Sequence, residues 1–299
     1  MIEKIKQYLN EIKYNIIIIY KQNNNSTSLN KKSPFLKCKF KQENDIVTQK
    51  IQEYIDILLK NNNDKHNKLI LRNLESLKIK NNKFIKNAFY IPSKNTIYLG
   101  KDKKESLPHE LLHVASTYVT KDVTYTGFCQ IAKNEEIGRG INEGFTELFN
   151  KDIFKENDAL SAYSLFEVDV AKELIKLLDY ETVKTHYFNA DLISLLRMLK
   201  KYDTSENIVK FIKKVDYVTN NINKLETKKE MQEIYIDLYK WNAIRLKELY
   251  ENNEITKKQY ENELLNNNKI YPARMLISLG VTDPIPNEVK KEVRRIIIW

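Results

Sequence analysis

Only six glycines occur in this 299-residue chain, and five of them, Gly100, Gly127, Gly138, Gly140 and Gly144, fall between positions 100 and 144. Glycine permits positive φ and close approach of two backbones. Tight turns and backbone crossings are therefore expected in that window, and any chemistry with them. Elsewhere the pattern is helical. Apolar residues recur at three- and four-residue intervals over 1–13, 46–59, 69–77, 159–178, 190–199, 208–218, 230–249, 256–265 and 287–297. Two stretches read differently. Residues 15–20, NIIIIY, suit a buried strand and precede a polar loop at 21–34. Residues 87–99 place two short β-rich runs around Pro92-Ser93-Lys94-Asn95, which predicts a hairpin or a bent edge strand.

Directly after this expected hairpin comes His109-Glu110-Leu111-Leu112-His113, which holds two of the chain's four histidines. Ser106 can cap a helix here and Pro108 is tolerated in its first turn, so a helix to about Tyr118 is expected. On a helix, residues four apart share a face, so both imidazoles can aim at one cation. Glu110, one step round, reaches a metal-bound water instead of the metal. Zinc lowers the pKa of such a water, and an adjacent carboxylate can take its proton as it attacks a polarised carbonyl.

A catalytic zinc site wants a third protein ligand and one open position. Glu143, thirty residues after His113, supplies a candidate within GRGINEGFTELF, residues 138–149. It follows a glycine-rich turn and opens a second expected helix, with Ile141, Phe145, Leu148 and Phe149 on its apolar face. Glu147, one turn on, can accept the free ring N–H of a ligating histidine and fix its tautomer. Asn142 suits either a hydrogen bond to substrate backbone or the N-cap of this helix.

HELLH followed by Asn142-Glu143-Gly144-Phe145-Thr146-Glu147 resembles the gluzincin metallopeptidases. The Asn-Glu-Gly-Phe segment is similar to the third-ligand motif of the aminopeptidase branch, and Glu143 with Glu147 resembles the ExxxD arrangement of thermolysin-like enzymes. The resemblance implies His109, His113 and Glu143 as zinc ligands and Glu110 as general base. Glu147 and Asn142 would support them, and residues 87–99 would form an edge strand that pairs with an extended peptide substrate. It covers residues 85–150. No Gly-x-Met-Glu-Asn motif precedes it, so aminopeptidase activity is not implied, and the third histidine of the metzincins is absent. An oxyanion-stabilising donor is expected among Tyr125, Tyr163, His186 and Tyr187.

The expected fold is α+β and mostly helical. A basic segment (1–44) precedes a zincin-like core (45–190) with a small antiparallel or mixed sheet, and a helical domain (191–299) follows. The expected function is hydrolysis of peptide bonds by zinc-activated water. The alternatives are a regulatory or effector protease of narrow specificity and an inactive zincin-like binding or scaffold protein. Charge adds little. Residues 1–100 carry 19 Lys/Arg against 8 Asp/Glu, and residues 101–299 carry 31 against 32, so the net +10 lies wholly in the first third. With no aromatic-basic interleaving or groove motif there, a solvated lysine-rich face is expected, and nucleic-acid binding through this segment is a third alternative. Cys38 and Cys129 match no metal spacing and read as isolated buried thiols, and His66 as an exposed loop residue. NIIIIY is too short for a signal sequence or a membrane span, so a cytoplasmic address is expected.

Overall fold

The computed structural model describes residues 45–61, 70–74, 76–81, 84, 87–100, 106–133, 135–154, 165–221 and 227–278. The expected elements at 1–13, 15–20, 21–34 and 287–297, the basic segment, Cys38, His66 and Tyr163 lie outside them. The described chain is mostly helical with two small sheets. Helix α1 spans Asp45–Lys60, and a helical stretch at residues 70–74 leads into the first sheet. That sheet contains β1 (Lys78–Asn81), β2 (Phe89–Ile91) and β3 (Thr96–Leu99) in the order β1-β3-β2. It is mixed, since β3 runs parallel to β1 and antiparallel to β2.

The hairpin expected at 87–99 is β2-β3. Its turn is a short 3-10 segment, Pro92–Lys94, closed by Asn95 in the left-handed region at φ 42°. Asn95 tolerates this backbone because its side chain is engaged locally. Its Nδ2 donates to Asn73 O at 2.6 Å and Ser76 Oγ at 2.8 Å, and its Oδ1 accepts from Tyr90 OH at 2.9 Å. The turn leaves β2 at the edge of the sheet.

Helix α2, Leu107–Ala115, carries HELLH, and every one of its residues is buried. Leu111, Leu112, Val114 and Ala115 enter the apolar core, and burial of each leucine contributes about 2 kcal/mol. The helix stops three residues before the expected Tyr118. Ser116 Oγ and Thr117 Oγ1 donate to the carbonyls of Leu112 (2.9 Å) and His113 (2.6 Å). Thr117, Tyr118 and Val119, β-branched or aromatic, then pair as a strand. That strand begins an antiparallel meander that the periodicity did not reveal: β4 (Thr117–Val119), β5 (Val123–Thr126), β6 (Cys129–Ala132) and β7 (Glu135–Ile137). It fills the interval between the HELLH helix and the helix of Glu143.

Helix α3, Arg139–Phe154, carries Glu143 and begins two residues before Ile141. Gly138 turns the chain into it at φ 87°, where a Cβ would lie 2.0 Å from Phe128 O. Next come α4 (Leu165–Leu177), α5 (Tyr180–Phe188), α6 (Leu192–Leu199), α7 (Ser205–Asn221), α8 (Thr227–Glu251) and α9 (Lys257–Ser278). Helix α5 had no counterpart in the apolar periodicity, and α9 continues well beyond the expected 265. Residues on both sides of position 190 enter one apolar core. A buried chain of polar contacts also ties α4, α8 and α9 together: Tyr271 OH donates to Glu173, and Asn242 Nδ2 donates to Tyr271 OH at 2.8 Å. Among the described residues no helix is long and apolar enough to cross a membrane.

Candidate metal centre

Helices α2 and α3 pack against each other and bring three ligand atoms together. His109 Nε2 lies 3.2 Å from Glu143 Oε2, His113 Nε2 lies 3.3 Å from the same oxygen, and the two ring nitrogens are 3.0 Å apart. All three side chains are buried. A cation held tetrahedrally at about 2.0–2.1 Å spaces its ligand atoms by about 3.3 Å, so this triangle matches one face of such a site. The group can hold a metal ion.

The surrounding side chains orient the ligands. Glu147 Oε2 lies 3.2 Å from His109 Nδ1. A carboxylate there accepts the Nδ1–H and leaves a lone pair on Nε2, the nitrogen that faces His113 and Glu143. Asn142 is not the N-cap of α3. It sits inside the first turn of α3, and its Oδ1 accepts Phe128 N–H at 3.0 Å. Its Nδ2 is left 3.4 Å from His113 Nδ1. Asn142 thus joins the meander to α3 beside the second imidazole.

Glu110 lies outside the triangle and is buried. Burial is the largest influence on its carboxyl and raises its pKa, while the charges of His109 and His113 and a hydrogen bond from Tyr90 N–H oppose the rise. Tyr90 belongs to edge strand β2, so the strand and the carboxylate are directly linked. Burial also works against protonation of His109, but hydrogen bonds to Glu143 and Glu147 and the nearby carboxylates prevail and bring its pKa to about 10. For Glu143 burial is again the largest influence and raises the pKa, yet the two histidines together hold it well below the usual carboxylate range. Three buried carboxylates thus surround two imidazoles, and among the described residues no Lys or Arg pairs with any of them. A divalent cation would balance this negative excess.

Two supports for α3 were invisible in the sequence. Asp216, on α7, accepts Gly138 N–H at 2.8 Å and Gly140 N–H at 2.9 Å, at the start of the helix. Burial pushes its carboxyl up to about 6, against these two amides. The other is Gly144, where a Cβ would meet Glu167 O at 2.1 Å: its hydrogen lets α4 cross against α3 one residue from Glu143.

Three of the four expected oxyanion donors fall among the described residues, and each has its own surroundings. Tyr187 is fully buried, and its OH shares a hydrogen bond with Thr146 Oγ1 at 2.7 Å. His186 pairs with Asp191 at 3.2 Å. Tyr125 is buried on β5, its ring tilted against Tyr118. Cys129 is free and buried, with its thiol beside Glu136. Comparison of the chain with family models, curated proteins and solved structures returns no match.

Proposed function

We propose that this protein is a zinc-dependent metallopeptidase. The observation that supports the reading is the convergence of His109, His113 and Glu143 within 3.0–3.3 Å, with buried Glu110 alongside but outside the triangle. His109, His113 and Glu143 would hold the ion. Two imidazoles and one carboxylate also serve iron, but a buried acid beside the ligands and outside the ligand set, Glu110, suits hydrolysis. When bound, zinc supplies Lewis acidity toward a peptide carbonyl and makes water more acidic.

The chain's own residues supply the rest. Glu110 takes a proton from the attacking water and passes it to the leaving amine, a transfer favoured by a carboxyl whose pKa lies above its ordinary value. Glu147 keeps His109 in the tautomer that presents Nε2. Among the described residues strand β2 lies at the edge of its sheet, where an extended peptide could add as a further strand. The aromatic layer of Phe128, Phe145, Phe149 and Tyr187 seals the inner side of α3 from water.

The test combines metal analysis with hydrolysis of a mixed peptide library by the wild type and Glu110→Gln. Both proteins should contain about one zinc per chain, and only the wild type should cleave. A zinc-loaded wild type no faster than Glu110→Gln on every peptide would remove the peptidase reading.

A further inference from the structure

A cavity of about 380 Å³ opens beside edge strand β2, between the β2-β3 turn and strand β4. That volume falls within the range of small-ligand sites, about 300–1,000 Å³. Its lining is polar and basic. Arg72, Lys78 and Lys94 border it, all three exposed, and no carboxylate does so among the described residues. None of the three cations has an ion-pair partner among the described residues either, although elsewhere lysines such as Lys176, Lys201 and Lys214 are paired.

The cavity adjoins the candidate centre through two of its lining residues. Tyr90 lines it and also donates its backbone N–H to Glu110. Thr117, beside the Tyr90 side chain, also lines it and donates its hydroxyl to the carbonyl of His113 at 2.6 Å. Thr117 opens β4 just past the C-terminal end of α2, so this part of the lining is tied to the backbone of a candidate ligand. An extended peptide paired with β2 would carry a side chain near the reacting bond toward this cavity, since strands advance about 3.3 Å per residue.

We infer that this cavity is a specificity subsite that takes an acidic side chain of the peptide substrate, with Arg72, Lys78 and Lys94 as the cations that select it. The inference rests on the metallopeptidase reading for its substrate class. Cations around a concave opening attract a carboxylate more strongly than the same charges on a flat surface. Discrimination comes equally from what the cavity rejects: a lysine at the same substrate position would meet three like charges.

The experiment uses the full chain carrying Glu110→Gln, so that binding is read without turnover. Fluorescent peptides carry one glutamate walked through an otherwise neutral sequence, each paired with its glutamine counterpart. Anisotropy should show one position at which glutamate binds about tenfold more tightly than glutamine, with the advantage fading as salt is raised. Adding Arg72→Glu and Lys94→Glu, both at exposed positions, should abolish the preference and favour lysine there, with the melting temperature and zinc content unchanged. Equal binding of glutamate and glutamine peptides, a preference that survives the charge reversal, or no binding of either would overturn the subsite. Charge-selective binding in a protein that cleaves nothing would keep the subsite and refute the hydrolase. Cleavage with no charge preference would do the opposite.

Discussion

Substituting Gly144 by alanine tests whether the crossing of α3 and α4 governs the centre. The new Cβ would lie 2.1 Å from Glu167 O and 2.7 Å from its carbonyl carbon. Real Cβ contacts stay beyond 3.0 Å, so the helices must part by about 0.9 Å, and the obstacle is backbone that no rotamer change can remove. Overpacking of this kind costs about 1–3 kcal/mol, and a backbone obstacle places this case at the upper end. Alanine returns about 1 kcal/mol through helix propensity. The net loss is about 2 kcal/mol, or a fall in melting temperature of roughly 4–8 °C for a domain of this size. Taken up by α3, the displacement also exceeds the tolerance of a metal site, about 0.2 Å in ligand distance. Thermal unfolding with and without zinc should therefore show a less stable protein that gains less from the metal. A variant that melts at or above the wild type would refute the crossing argument.

Three other outcomes are expected. Glu147→Ala should weaken zinc binding by roughly ten- to a hundredfold while the fold persists, as competition with a chromophoric chelator will show; unchanged affinity would mean that Glu147 does not orient His109. In chelator-treated protein, the pKa of His109 is raised from 6.5 to about 10, so its pairing stabilises fully below about pH 6.5 and is lost as pH rises through about 10. The Glu143 pKa is lowered, so its share is present above the ordinary carboxylate value of 4.5 and is lost as pH falls through the depressed value. Zinc added near pH 7 should consequently displace about one proton, measurable by calorimetry in buffers of different ionisation enthalpy, and the absence of proton release would contradict the His109 assignment. Asp216→Ala leaves the amides of Gly138 and Gly140 without their acceptor, and denaturant unfolding should show a loss of about 1–3 kcal/mol.

The parts legible in the sequence were those governed by local rules. The four-residue spacing of His109 and His113 fixes their common face once the segment is helical. The crowding of glycines marked the segment where Gly138 turns the chain and Gly144 lets a helix cross. The Pro92–Asn95 turn announced the hairpin. What escaped depended on partners distant in sequence. The meander at 117–137 consists of strands of three or four residues, too short for alternation to register. Asp216 lies on an ordinary amphipathic helix, and only the fold sets it against the start of α3. Helix α2 looked amphipathic but is buried on all sides, because the second face meets Glu143 and Glu147 instead of solvent. The N-cap reading of Asn142 failed for the same reason: the N–H that it accepts belongs to Phe128, fourteen residues earlier.

Anomalous scattering at the zinc edge from crystals of the zinc-loaded protein is the most direct examination of the three-ligand centre. One strong peak is expected, about 2.0–2.1 Å from His109 Nε2, His113 Nε2 and a carboxylate oxygen of Glu143. A peak bonded to other residues, or a fully zinc-exposed crystal with no peak between α2 and α3, would contradict it.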